Sequence, residues 1–197
     1  KLLDLGCGDG VLTFALQEQC AQVVGVDKSP AMVEAARERG CKDVRLADGA
    51  ALQEAGIKPD EFDIVFSNDA LQWMKADPGK VVREIHQCLK PGGVLIAKFP
   101  AHHSISAIHA ALIAAANQRG YDGVAISPWY YPTAEEYRAV LEDNWMHVHR
   151  AEIEPVVVQL SVTLRVFLES IAYGYVAGWA DAATQKEILD EVERAVE

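Results

Sequence analysis

The segment that most constrains the fold of this 197-residue chain is its glycine-rich stretch Asp4–Gly10, with the sequence DLGCGDG. Apolar Leu2 and Leu3 precede it and the apolar run 11–16 follows it, so a buried strand is predicted to bend sharply into a helix. Glycine has no Cβ and tolerates positive φ, so a ligand can approach the backbone of such a bend closely. The first amides of the helix lack partners and face that ligand. The pattern predicts a nucleotide-like ligand at this turn.

The spacing of the glycines distinguishes two ligand classes. The dinucleotide fingerprint G-x-G-x-x-G places a third glycine where Val11 stands, whereas this chain has G-x-G-x-G ending at Gly10. A second apolar strand, 23–26, ends at Asp27, whose carboxylate can accept hydrogen bonds from both hydroxyls of a ribose. Dinucleotide sites also place an acid about 20 residues after the glycines. Asp27 alone therefore leaves both classes open.

Strand and helix patterns alternate through the first hundred residues, which predicts a parallel sheet covered by helices on both faces. Ser29 and Pro30 predict a helix start, and Pro91-Gly92-Gly93 predicts a turn before the fifth strand. Acidic or polar residues follow the strands, at the edge where ligands bind to such sheets. The predicted strands are 1–5, 22–26, 43–47, 62–67 and 93–99, and the predicted helices are 10–20, 30–40, 79–90 and 103–118.

These motifs, in this order, resemble class I S-adenosylmethionine-dependent methyltransferases (methyltransferase type 11 domains). The resemblance implies that Met32 lies beside the adenine and that Asp48 receives the adenine amino group. The carboxylate of Asp4, at an apolar junction of strand and turn, needs a partner, which the amino group of the cofactor or the loop amides would supply. The later run Asn68-x-x-Leu71-Gln72-Trp73 is similar to the trans-aconitate methyltransferase-like branch. The cofactor-binding residues implied by the resemblance are Asp4, Gly6, Cys7, Gly8, Gly10, Asp27, Lys28, Met32, Asp48, Gly49, Ser67 and Asn68.

The resemblance also implies an α/β fold with a doubly wound, seven-stranded, mostly parallel sheet. Residues 145–150 and 156–160 are predicted to supply the last two strands as an antiparallel pair, and helices are predicted at 163–178 and 182–196. We expect a cofactor-binding domain over 1–160, with the helices of 161–197 packed on it. Because the chain begins inside its first predicted strand, we also expect an N-terminal segment to be missing.

The acceptor of the methyl group is predicted to be a small molecule, with a carboxylate oxygen as the leading candidate. A carboxylate is already ionised at neutral pH, with a pKa of about 4, so it needs donors but no base. The candidate residues on the substrate side are His102, His103, Tyr130, Tyr131, Trp73 and Arg165. The alternatives are O- or C-methylation of another secondary metabolite, a methyltransferase-like binding protein without activity, and an NAD-dependent oxidoreductase.

The composition limits the partners of the chain. A net charge of −11 argues against a broad nucleic-acid interface, which needs clustered lysine and arginine. No apolar run has the length of a membrane span, and the four cysteines show no spacing typical of a metal site. We therefore expect a cytoplasmic protein with reduced thiols, no metal, no membrane partner and a small-molecule substrate. The oligomeric state stays open.

Overall fold

The computed structural model describes residues 1–196 and divides into two compact units. The first unit comprises 1–102 and 130–153, and the second comprises 103–129 and the chain from 154 onward. No helix of the described chain is both long and apolar enough to cross a membrane. The first unit contains β1 (Leu2–Leu5), α1 (Val11–Leu16), β2 (Val23–Asp27), α2 (Pro30–Glu38), β3 (Val44–Leu46), β4 (Phe62–Asn68), α3 (Pro78–Cys88), β5 (Leu89–Lys98) and α5 (Ala134–Glu142).

The five strands form one parallel sheet in the order β3-β2-β1-β4-β5. Chain order runs outward from β1 to β3 on one side and resumes with β4 on the other side of β1. The boundary between β1 and β4 is therefore the switch point of the sheet, the position at which open α/β sheets bind ligands. The five strands predicted in the first hundred residues are confirmed.

The prediction of two further strands is wrong for the part of the chain that the structure describes. Residues 145–150 and 156–160 have no strand pairing. Trp145 has a φ of +66°, which interrupts an extended backbone, and Val157 is 98% exposed. Valine-rich segments favour extended backbone, but they become strands only where another strand pairs with them.

The Pro91-Gly92-Gly93 segment lies inside β5 rather than before it. β5 begins at Leu89, directly after α3, and its pairing with β4 shifts register between Phe62 and Ile64. Gly92 has a φ of +80° within this irregular stretch. Between the pairs Phe62–Leu89 and Ile64–Val94, β4 advances two residues and β5 advances five, so the predicted change of direction falls in this irregular stretch of the strand.

The core of the first unit lies between the sheet and its helices. The strands contribute Leu3, Val26 and Val65, each at most 1% exposed, and α3 contributes Ile85 from its apolar face. Buried residues recur on α3 at helical spacing: Val81, Val82, Ile85 and Cys88. The central strand β1 and its neighbour β2 are buried almost throughout, whereas the edge strand β5 is exposed along most of its length.

The second unit consists of α4 (Ser106–Gln118), α6 (Leu164–Val176) and α7 (Ala182–Val196). The buried Tyr175 of α6 donates its hydroxyl to the carbonyl of Gly123 at 2.5 Å. Arg119 forms a bidentate ion pair with Glu191 of α7, at 2.7 and 2.9 Å. These helices match the predicted ones to within a few residues, although α4 begins three residues later than predicted.

Replacing Ile85 with alanine is expected to lower the free energy of unfolding by about 3 kcal/mol, because it leaves a cavity between α3 and the sheet. Urea unfolding followed by circular dichroism measures the change. Ile153→Ala is the control, since Ile153 is 45% exposed and belongs to the same unit. Equal losses in the two variants would contradict the assigned core.

Candidate functional site

Acidic and polar side chains collect where the strands of the first unit end. Asp4 is the next-to-last residue of β1, and Asp27 and Asn68 are the last residues of β2 and β4. Asp48 follows β3 by two residues. Because the four strands are parallel and adjacent, these residues share the carboxyl edge of the sheet, around the switch point.

The loop from β1 to α1 has the backbone that its glycines predict. Gly6, Gly8 and Gly10 have φ values of +74°, +55° and +81°. A Cβ on Gly6 would lie 2.2 Å from the Cβ of Ala70, so the loop is pressed against the turn that follows β4. A Cβ on Gly8 would meet nothing within 4 Å. The Gly8 side of the loop is therefore its open side, where a ligand can reach the backbone.

Asp27 fastens this loop to the start of the next helix. One carboxylate oxygen accepts the amide hydrogen of Gly8 and the other accepts that of Ser29, each at 2.9 Å. The hydroxyl of Ser29 accepts the amide of Met32, so the predicted cap of α2 is confirmed. Each carboxylate oxygen has a second lone pair that remains available to a hydroxyl donor.

Asp4 is buried, with only 2% of its surface exposed. Its Oδ2 accepts a hydrogen bond from the hydroxyl of Thr13 at 2.6 Å. Burial is the main cause that raises the pKa of Asp4 from 3.8 to about 6; the Thr13 bond opposes this rise and Asp27 adds to it. By linkage, the ionised form costs the folded state about 3 kcal/mol, a cost that develops as pH rises from the unfolded pKa through the folded one.

Three other predicted cofactor residues differ in how they can contribute. The Cys7 side chain packs toward β2, since its sulfur lies 3.0 Å from the position of a Cβ on Gly25. Burial and the nearby Asp4 raise its pKa to about 12, so the thiol stays neutral. Lys28 and Met32 are exposed.

The turn after β4, Ala70–Met74, lies between two glycine positions of the site. Ala70 packs on Gly6, and the sulfur of Met74 lies 2.8 Å from the position of a Cβ on Gly49. Asp48 is exposed and accepts the amide of Ala50. The turn therefore borders both the loop after β1 and the loop after β3.

Gln72 in this turn carries a buried acceptor without a partner. Its Nε2 donates to the carbonyl of Asp69 at 2.8 Å, whereas its Oε1 is buried and accepts no hydrogen bond. Asp69 has a φ of +53°, a conformation that costs a non-glycine residue energy. Ser67 is turned inward and donates to the carbonyl of Leu5, while the amide of Asn68 donates to Asp69. The turn holds strain and an unfilled acceptor at the site.

The candidates for the substrate side separate between the two units. Trp73, His102, Tyr130 and Tyr131 belong to the first unit and His103 to the second. Trp73 is 42% exposed. Tyr130 donates its amide to Gln72 and lines a small cavity with Leu71, Met74, Pro78, Val81 and Tyr137.

Arg165 is not available to a substrate carboxylate, because it already pairs with acidic side chains of the second unit. Its guanidinium bonds Glu169, at 2.9 Å, and Asp190, at 2.5 Å, and a carboxylate oxygen of Glu193 lies within 3.5 Å. A larger concave region lies at the amino-terminal ends of β2 and β3, bordered by Val23 and Asp43, and is thus at the opposite edge of the sheet from the acids.

The roles of two buried polar side chains of the site, Thr13 and Gln72, are not apparent from the sequence. Thr13 is a polar residue on the buried face of α1 and is fully buried. In the sequence, the only indication of its role is its position three residues after Gly10. Gln72 was noticed as part of a motif, but its unpaired Oε1 depends on the folded turn. Neither contact is visible in the spacing of residues.

The fold and site together define a doubly wound α/β protein with a candidate cofactor site at its switch point. The family model described as "Methyltransferase domain" matches residues 3–97. The chain is 34% identical to the uncharacterized methyltransferase C70.08c of Schizosaccharomyces pombe, over 87% of this chain and 68% of that one. It is 31% identical to the trans-aconitate 2-methyltransferase of Methylobacterium radiotolerans, over 93% and 75%. The chain therefore belongs to the S-adenosylmethionine-dependent methyltransferase family.

A solved structure supports the fold alone. A putative methyltransferase of Haloferax volcanii, solved in complex with the Trm112 methyltransferase activator, superposes with a TM-score of 0.60 at 23% identity, over 88% of this chain and 76% of that one. Other curated relatives, including further trans-aconitate 2-methyltransferases, match over only 38–44% of their own length.

Gly6→Ala is expected to lower the free energy of unfolding by about 3 kcal/mol, through the clash with Ala70 and the strained φ. Gly8→Ala is the matched control, because it carries a similar φ penalty of about 1 kcal/mol but no clash. Thermal melts of the two variants give the comparison. Equal stabilities would show that the loop does not press on the turn after β4.

Proposed function

We propose that the carboxyl edge of the sheet binds S-adenosylmethionine and that the protein transfers its methyl group to a carboxylate oxygen of a small molecule. The observation that carries the cofactor site is the pair of acids, Asp4 and Asp27, on either side of an open glycine loop. The cofactor supplies a methyl group already activated on a sulfonium sulfur. The residues of the chain bind and orient the cofactor and the acceptor, and they exclude water.

The residues present fit the polar groups of such a cofactor. Asp27 keeps one free lone pair on each oxygen, which suits the two hydroxyls of a ribose. Asp4 is a buried carboxylate that lacks a cationic partner among the described residues, which suits an ammonium group. The open side of Gly8 leaves room for a ligand against the loop, and Asp48 is exposed beside Gly49 for the adenine.

The protein is expected to accelerate transfer mainly by alignment. Holding two reactants in a fixed geometry contributes on the order of 7–11 kcal/mol, without a catalytic base. A carboxylate acceptor is ionised at neutral pH and needs only hydrogen-bond donors. Burial raises the pKa of Tyr130, and it raises that of Tyr131 to about 12, so both phenols stay protonated and can donate. His102 on the same unit is a further donor.

The unpaired Oε1 of Gln72 favours a second candidate acceptor. An ionised carboxylate offers no hydrogen to this buried oxygen, whereas a hydroxyl does. A small molecule with a hydroxyl group, methylated on oxygen, is therefore the alternative. The two acceptors differ in the stability of the product toward alkali, which makes them separable by experiment.

Asp27→Ala is expected to weaken binding of S-adenosylhomocysteine about 100-fold, the loss of two hydrogen bonds to a charged acceptor at about 1.5 kcal/mol each. Isothermal titration calorimetry measures the dissociation constant. Asp43→Ala is the control, since Asp43 precedes β3 at the opposite edge and pairs with Arg45. Unchanged affinity in Asp27→Ala, or binding of NAD in place of S-adenosylhomocysteine, would contradict the proposed site.

Incubation with methyl-labelled cofactor and a panel of di- and tricarboxylates is expected to give a product that releases labelled methanol in mild alkali, as methyl esters do. The panel includes trans-aconitate, and matched hydroxy compounds without carboxylates are the control. An alkali-stable label on the hydroxy compounds alone would favour the alternative acceptor. No transfer by a chain that binds S-adenosylhomocysteine would contradict both.

A further inference from the structure

Thr13 is a polar side chain at a fully buried position of a short helix. Its methyl group, Cγ2, lies 3.3 Å from the position of a Cβ on Gly25, so this half of the side chain packs against β2. Its hydroxyl donates to Oδ2 of Asp4 at 2.6 Å. The methyl group therefore serves packing and the hydroxyl serves hydrogen bonding, and only the hydroxyl concerns the candidate site.

The two oxygens of Asp4 are in different situations. Oδ2 is held by Thr13, whereas no donor from the residues that the structure describes reaches Oδ1. Because Oδ2 is held, the carboxylate does not rotate freely, and the direction in which Oδ1 points is fixed. A short hydrogen bond between two buried groups holds such an orientation better than rotamer preference alone.

We propose that Thr13 is a positioning residue for the cofactor, which acts by fixing Asp4 so that Oδ1 receives an ammonium group. The inference rests on the proposed function, because it presumes that Asp4 binds the amino group of S-adenosylmethionine. It adds a residue that the glycine and acid motifs do not contain.

The charges around Asp4 explain why this hydrogen bond matters. Asp27 on β2 repels the charged form, Cys7 and Cys41 lie nearby as neutral thiols, and the first turn of α1 brings no charged side chain. The Thr13 hydroxyl is thus the group that stabilises the carboxylate in the unliganded protein. When an ammonium group binds, a protonated Asp4 gives up its proton to the solvent and the ion pair forms.

The test compares side chains that differ only in the hydroxyl. Thr13→Val keeps the shape and the packed methyl, while Thr13→Ser keeps the hydroxyl and loses the methyl; Thr13→Ala, compared with Thr13→Ser, repeats the comparison in case the valine variant does not fold. Dissociation constants for S-adenosylhomocysteine are measured by calorimetry from pH 5 to pH 8, and Asp4→Asn is measured alongside. Thermal melts establish that each variant is folded at the temperature of the titration.

Wild type and Thr13→Ser are expected to lose affinity as pH falls below about 6, because ammonium binding needs the ionised Asp4. Thr13→Val is expected to bind about tenfold more weakly at pH 7, with the loss beginning at a higher pH, since the hydroxyl no longer lowers the pKa of Asp4. Asp4→Asn is expected to bind weakly at every pH.

The outcomes distinguish a failure of the Thr13 role from a failure of the proposed cofactor site. If Asp4→Asn binds weakly but Thr13→Val shows the wild-type affinity and pH profile, Thr13 has no positioning role and the proposed cofactor site stands. If Thr13→Ser fails as Thr13→Val does, packing of the methyl group is responsible and the inference is overturned. If Asp4→Asn binds like wild type across the pH range, the assigned role of Asp4 fails, and that of Thr13 fails with it.

Discussion

The bend at the end of β1 is the constraint on which the candidate site depends. The amides of Gly6 and Cys7 both donate to the carbonyl of Val26, at 2.8 and 2.9 Å, which fastens the bend to the end of β2. On its other side Gly6 meets Ala70 after β4. A single turn is therefore held by the strands on both flanks of β1, and only a residue without a Cβ fits there. The positions of Asp4 and Asp27 follow from this bend, because Asp4 lies two residues before Gly6 and Asp27 directly follows Val26, whose carbonyl the bend binds.

The features that could be predicted from the sequence are those that a short stretch of chain determines by itself. The strand ends, the glycine bend and the cap at Ser29 depend on neighbours within a few positions, and the structure confirms them. The strands at 145–150 and 156–160 were wrong because pairing depends on a distant partner. The Thr13 bond and the unpaired oxygen of Gln72 were not predictable, because side-chain direction is fixed by packing that residue spacing does not specify.

The same distinction explains why the cofactor was easier to infer than the acceptor. A cofactor of this class is held by backbone bends and by acids at strand ends, which leave a regular pattern in the chain. The candidates on the acceptor side, such as Trp73 and Tyr130, stand in a turn and in an irregular segment. Aromatic residues there serve packing as readily as recognition, and Tyr130 does pack against the core. Chemistry on that side has to be identified from unpaired groups rather than from motifs.

The charges of the site affect both the cofactor and the acceptor of the proposed reaction. In the proposed complex, the sulfonium and ammonium groups of S-adenosylmethionine would face the carboxylates of Asp4, Asp27 and Asp48, in a chain of net charge −11. Asp48 is exposed and largely screened by water, so the buried Asp4 exerts the stronger field on a bound cation. Methyl transfer to a carboxylate removes the positive charge of the sulfur and the negative charge of the acceptor together. Under this proposal the acidic edge would hold the reactant form of the cofactor more strongly than the product form, which would favour release after transfer.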